Sequence, residues 1–203
     1  MNAKTARGWS LVGWIALVAG ILTFGAYAAA GGDREGLSAA MRWTARLSGS
    51  LFLLAFSASS LRQLWPSPLT AYLLSNRRYL GVSFGVAHAW HLCAVIAFLR
   101  RPEVDPEPIS LVIGMIPVGF IAAMLATSFD TTAAWLGARR WKLLHTTGGW
   151  LIWFVFLYTW AGAALDHPLS ALMALLALAA VGIRAAAILA RRRGALDSGR
   201  ASL

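Results

Sequence analysis

Three of the four histidines fall inside long uncharged stretches: His88 and His91 between Tyr79 and Leu99, and His145 near the start of Leu143–Leu165, with Tyr158 further along the same stretch. An ionisable side chain in such a run is costly and usually functional. His88 and His91 are three residues apart, within about 60° on a helix turning about 100° per residue, so both point into one interhelical space. Neutral imidazoles facing one another across a helical bundle can hold haem iron. Zinc fits less well, because no Cys, Asp or Glu lies at the same depth to complete a tetrahedral set. For each histidine alone an interhelical hydrogen bond is the plain alternative. His167 falls in a connecting loop and reads as solvated. Cys93, the single cysteine, supports no disulfide framework or multi-cysteine site and reads as a small packing residue.

The stretches that carry these side chains are long enough to cross a bilayer. Of 203 residues 59% are hydrophobic and 13% charged, against roughly 25% charged in an average soluble domain. Charge-free runs occupy Gly8–Gly32, Tyr79–Leu99, Pro108–Phe129 and Leu143–Leu165, of 25, 21, 22 and 23 residues. About 20 helical residues span a hydrocarbon core of ~30 Å. Leu47–Leu61 is shorter, but Arg46 and Arg62 at its ends can carry their charges to the headgroups. Pro168–Ala190 is apolar except for Arg184, close enough to Arg191-Arg192-Arg193 to snorkel with them. The expected fold is all-α: one domain over 1–203, a polytopic bundle of six transmembrane helices at about 9–30, 45–62, 79–99, 108–129, 142–165 and 168–190.

The net charge of +10 follows membrane topology. Lys4, Arg7, Arg62, Arg77, Arg78, Arg139, Arg140, Lys142, Arg191, Arg192, Arg193 and Arg200 fall on one side, 12 of the 18 basic residues. Arg34, Arg42, Arg46, Arg100 and Arg101 fall on the other, beside five acids. The positive-inside rule puts both termini in the cytoplasm, and the resemblance described below implies a bacterial inner membrane. Basic residues spread over separate loops do not form a nucleic-acid patch. Lys4 and Arg7, followed by an apolar stretch and Ala26-Tyr27-Ala28, imitate a signal peptide, but the apolar part exceeds the usual 7–15 residues. Cleavage there would leave five spans. Loops are short, and no G-x-G-x-x-G or Walker motif occurs, so a redox cofactor must lie among the helices or on a partner. Trp9, Trp43, Trp65 and Trp141 read as interfacial anchors, and Gly13 and Gly148-Gly149 as points of close helix contact.

The stretch Arg77-Arg78-Tyr79-Leu80-Gly81 followed by His91, then Ala126-Thr127-Ser128 and Leu136-Gly137-Ala138-Arg139-Arg140-Trp141-Lys142-Leu143-Leu144-His145, resembles the ferric-reductase-like transmembrane domain. Within that family it is most similar to the haem-bearing membrane subunits of bacterial periplasmic methionine sulfoxide reductase systems. The similarity runs from about Leu47 to Arg193. It implies six helices, b-type haem (one or two) between the third and fifth, and electron transfer across the membrane from a cytoplasmic flavin reductase or quinol to a periplasmic reductase subunit. The chain would then be an electron-transfer subunit rather than a complete enzyme. His91 matches the family's third-helix iron ligand and His145 its first fifth-helix ligand. The family's second fifth-helix histidine falls where this chain has Tyr158. An outer haem would use His91 with Tyr158, with His88 or alone, and an inner haem His145 with a partner such as Arg77.

Depth counting separates these options. Measured along parallel helices from Arg78 and Arg140, His91 lies ~20 Å deep, His88 ~15 Å, His145 ~8 Å and Tyr158 ~27 Å. His88–His145 and His91–Tyr158 pairs each need an offset of about 7 Å, a His91–His145 pair ~12 Å. His145 and Tyr158 do not share a helix face, thirteen residues turning about 220°. A haem-free six-helix protein, an assembly factor or small transporter, is the alternative of a different class.

Overall fold

The computed structural model describes residues 6–200, with Ser110, Ile113 and residues 195–200 described by backbone alone. Lys4 and the side chain of Arg200, both used in the charge count, lie outside that description. The described chain is all-helical, 85% helix without a strand. Its elements are α1 (Trp9–Ala29), α2 (Arg34–Leu64), α3 (Pro68–Ser75), α4 (Arg77–Leu99), α5 (Pro108–Ala126), α6 (Asp130–Leu136), α7 (Ala138–Gly162) and α8 (Pro168–Arg200).

Several boundaries differ from the sequence expectation. The second helix starts at Arg34, because the Asp33 carboxylate accepts from the backbone N–H groups of Glu35 and Gly36 at 2.9 and 3.4 Å and caps it. The preceding turn is closed by Gly31 and Gly32 at φ of 95° and 69°, a region open to glycine without strain. Arg42, expected in the loop, therefore lies within α2, as does Trp43, and Arg46, expected at the start of the helix, is three turns inside it. The loop stretches after α2 and α5 hold the short helices α3 and α6, and the expected C-terminal tail continues α8.

The hub is α2, which touches α1, α3, α4, α7 and α8, whereas α5 packs on α7 and, more lightly, on α4. Thr44, Ser48, Ser57 and Ser60 of α2 are buried against those neighbours. Small side chains let helix backbones approach closely, and two of the hydroxyls donate inside the helix, Thr44 to Ala40 O at 2.6 Å and Ser48 to Ala45 O at 3.1 Å. An aromatic core joins α2, α4 and α7: Phe52 lies 5.4 Å from Phe84 and 5.8 Å from Phe156.

Side-chain contacts fix the helix directions. Arg77, at the start of α4, reaches Ala55 late in α2, while His91, late in α4, reaches Met41 early in α2. Trp150 meets Phe56, and Trp160 lies against Gly49. Both α4 and α7 thus run antiparallel to α2 and parallel to each other. Gln63 donates to Ala187 O, so the later part of α8 lies beside the end of α2. The starts of α1, α4 and α7 and the ends of α2, α5 and α8 gather at one end of the bundle, which also carries most of the arginines.

Three helices, α1, α4 and α8, are long and apolar enough to cross a membrane, and α5 with α6, bent by 109°, makes a fourth if the pair is one span. Ile21, Phe24, Val112 and Leu175 point outward from α1, α5 and α8 at 61–65% exposure, an apolar surface that suits a lipid bilayer.

Candidate cofactor site

A cavity of about 590 Å³ opens at the basic end between α4 and α7, with α2 behind it. Apolar walls come from Phe52, Phe56, Phe84 and Trp150, and polar groups from Arg77, Arg78, Lys142, His145 and Arg184. Its size is that of a small-molecule site. Of the expected ligands, His145 and Arg77 line it; His88, His91 and Tyr158 do not.

His145 is held on two sides. Its ring stacks on Trp141 at 4.2 Å, and Nε2 lies 3.1 Å from Thr127 Oγ1. Thr127 commits its hydroxyl hydrogen to its own helix, at Ala123 O, 2.7 Å away. The threonine oxygen can then only accept, so Nε2 carries the imidazole hydrogen and Nδ1 keeps a lone pair. Trp141, expected as an interfacial anchor, is thus also a support for the imidazole, its indole N–H donating to Thr127 O at 2.9 Å.

Arg184 departs most from expectation. Instead of snorkelling to the helix end, its guanidinium turns into the bundle, donates to Phe56 O at 2.7 Å and lies 4.2 Å from the Phe56 ring centre. Arg77 donates to the neighbouring carbonyl, Ala55 O, at 3.0 Å.

The same logic orients His91 in the other half of the bundle. Nδ1 lies 3.1 Å from Met41 O and 3.2 Å from Thr44 Oγ1, whose hydrogen goes to Ala40 O. Nδ1 therefore donates, and Nε2 keeps the lone pair. A ring N–H fixed by a backbone carbonyl is the usual support of a metal-ligating histidine. His88 lies beside it, ring centres 5.2 Å apart, with a buried Nδ1 that meets no partner.

What faces this pair from α7 is aromatic. Phe156 lies 6.3 Å from the His88 ring and stacks on Trp160 at 4.8 Å. Eleven residues from His145 return to nearly the same helix face, so Phe156 occupies the position from which a second α7 ligand would act. The count also revises the register: with Phe156 level with His88, His145 lies ~16 Å below it rather than about 7 Å. Tyr158 has suitable depth but the wrong face, two residues and about 200° from Phe156. It is 74% exposed and stacks only on Phe154. The residues around His88 and His91 thus do not fit a second haem with an α7 ligand. Those around His145 supply apolar walls, one oriented imidazole and several cations.

Thr127 belonged to a recognised stretch, but its role, and those of Thr44 and Phe156, had no sequence signal, because each depends on which residue of another helix it meets. Gly148 does mark close contact, since a Cβ there would come within 2.5 Å of Met124 Sδ, whereas Gly13 meets nothing within 4 Å. Cys93 is exposed rather than packed. Among the described residues no three His, Cys, Asp or Glu side chains cluster as a metal site.

Compared with known proteins, the chain matches no family model, no curated protein and no solved structure.

Proposed function

We propose that the chain is a six-span inner-membrane protein of the ferric-reductase-like type that binds one b-type haem in the cavity between α4 and α7 and carries electrons between a cytoplasmic donor, a flavin reductase or quinol, and a periplasmic acceptor. The observation that carries this reading is His145, an imidazole oriented by Thr127 and Trp141 on the wall of a cavity of about 590 Å³. Six spans follow if α2 and α7, too polar on average to pass as spans alone, cross beside the apolar helices. Thr44, Ser48, Ser57 and Ser60 of α2 are buried against protein, and His145 and Thr146 of α7 line the cavity, which keeps these polar side chains from lipid. The excess of arginine at the end holding the start of α1 and the end of α8 supports a cytoplasmic assignment for that end.

Bound haem would supply one-electron redox chemistry. The protein's part is to present Nδ1 of His145 with its lone pair, to exclude water with Phe52, Phe56, Phe84 and Trp150, and to offset negative charge with Arg77 and Arg184. No C-x-x-C-H occurs in the sequence, so attachment is noncovalent.

A reduced-minus-oxidised spectrum of purified protein with a haem count tests this. One b-type haem per chain is the expected result. Colourless protein from haem-replete cells, with no Soret band after haem is added, would sink it and leave the haem-free membrane protein as the reading.

A further inference from the structure

The cavity has an electrostatic imbalance that the imidazole does not explain. Arg77, Arg78, Lys142 and Arg184 line it, and Asp130 is the one acid among its described lining residues. That acid is committed, its Oδ1 accepting from Arg78 at 2.7 Å. The Nε atoms of Arg78 and Arg184 are buried without a partner. Arg184 is half-buried in the wall while Arg77 and Lys142 stand exposed at the rim, so an anion entering the cavity meets positive charge at its mouth and along its side.

Two of the four are also held in place. Arg77 from α4 and Arg184 from α8 donate to the adjacent carbonyls Ala55 O and Phe56 O of α2, at 3.0 and 2.7 Å. Both guanidiniums therefore converge on one turn of α2. The ring of Phe56 lies under the Arg184 guanidinium, with that of Trp150 at 5.5 Å. A guanidinium has five N–H donors, and each of these spends one on α2. The remaining donors form a fork suited to two-point recognition of a carboxylate or phosphate.

We infer that Arg77 and Arg184 form a receptor for the acidic group of an amphiphile whose apolar body fills the cavity. In one form this rests on the haem reading, the acid being the haem propionates; the same chemistry would take the phosphate of an anionic phospholipid from the basic-end leaflet. Both sources share an oxyanion on an apolar body, and neither free phosphate nor a neutral porphyrin supplies both parts.

The full chain in detergent is titrated with ferric haem b and with its dimethyl ester, in which the propionates carry no charge, and the Soret band is read. Wild type is expected to bind the acid at least about tenfold more tightly than the ester, and Arg77→Gln/Arg184→Gln to bind both alike. In a second arm, haem-free protein is equilibrated with phosphatidylglycerol or phosphatidylcholine and washed, and retained phosphorus is counted. Selective retention of phosphatidylglycerol by wild type and its loss in the double variant identifies a lipid phosphate as occupant. If no haem binds at all, the haem reading fails while this arm still decides the receptor. Arg77→Lys and Arg184→Lys, which keep the charge and lose the fork, are run singly in both arms in case the double variant misfolds; each should lose most of the discrimination. No difference between wild type and variants in either arm would overturn the receptor.

Discussion

At His145 and at His91 the same device recurs: a threonine spends its hydrogen on a carbonyl one turn back in its own helix and so turns its oxygen into an acceptor for the imidazole. Each ring is left with one lone pair and a fixed orientation. The surroundings then separate them, since His145 meets the cavity while His91 meets His88, which faces Phe156. On the proposed function, His145→Ala should abolish haem binding and His91→Ala should leave the haem content of wild type. Thr127→Val should weaken haem affinity by about tenfold while His145 is retained, the scale of a lost partner behind a metal ligand. Haem counts by extraction check all three, and full haem content in His145→Ala would rule out the assignment. Tyr158→Phe should leave the spectrum unchanged, because that side chain points out of the bundle.

Among the elements, α2 does most to position the site, and it is one of the two long helices that average hydropathy passes over. Its serines, threonines and glycines lower its apolar character, yet they are what allow five neighbours to close on it. Gly49 is the tightest point: a Cβ there would overlap the rigid Trp160 indole. Gly49→Ala should therefore destabilise the fold by roughly 1–3 kcal/mol, the usual cost of overpacking. Gly13→Ala, in open space, should be neutral or slightly stabilising, since alanine favours a helix. Thermal unfolding in detergent compares the two, and equal midpoints would show that α7 yields at Trp160.

For the molecule as a whole, the gathering of both described chain ends at the arginine-rich end gives the topological expectation its physical form. A cytoplasmic reporter fused after Leu203 should be active, and a periplasmic reporter placed in the stretch 101–107 should be active on the other side. A C-terminal reporter active only in the periplasm would reverse the orientation and, on the proposed function, the side of the electron donor.

Long helices in the expected places follow from the sequence because the length of an apolar run and the period of a helix are local properties. The candidate histidines were legible for the same reason, an imidazole being conspicuous among leucines and valines. Their separation into different layers was also countable, although the count underestimated the gap. Register and facing are not local. That α7 turns Phe156, and not Tyr158, toward His88 depends on where α7 starts after Gly137 and how it packs along α2. That Arg184 turns inward depends on the Phe56 carbonyl and ring being within reach. Such choices are made by packing between segments far apart in the chain, and they decide that the cations and His145 share one cavity while His88 and His91 remain outside it.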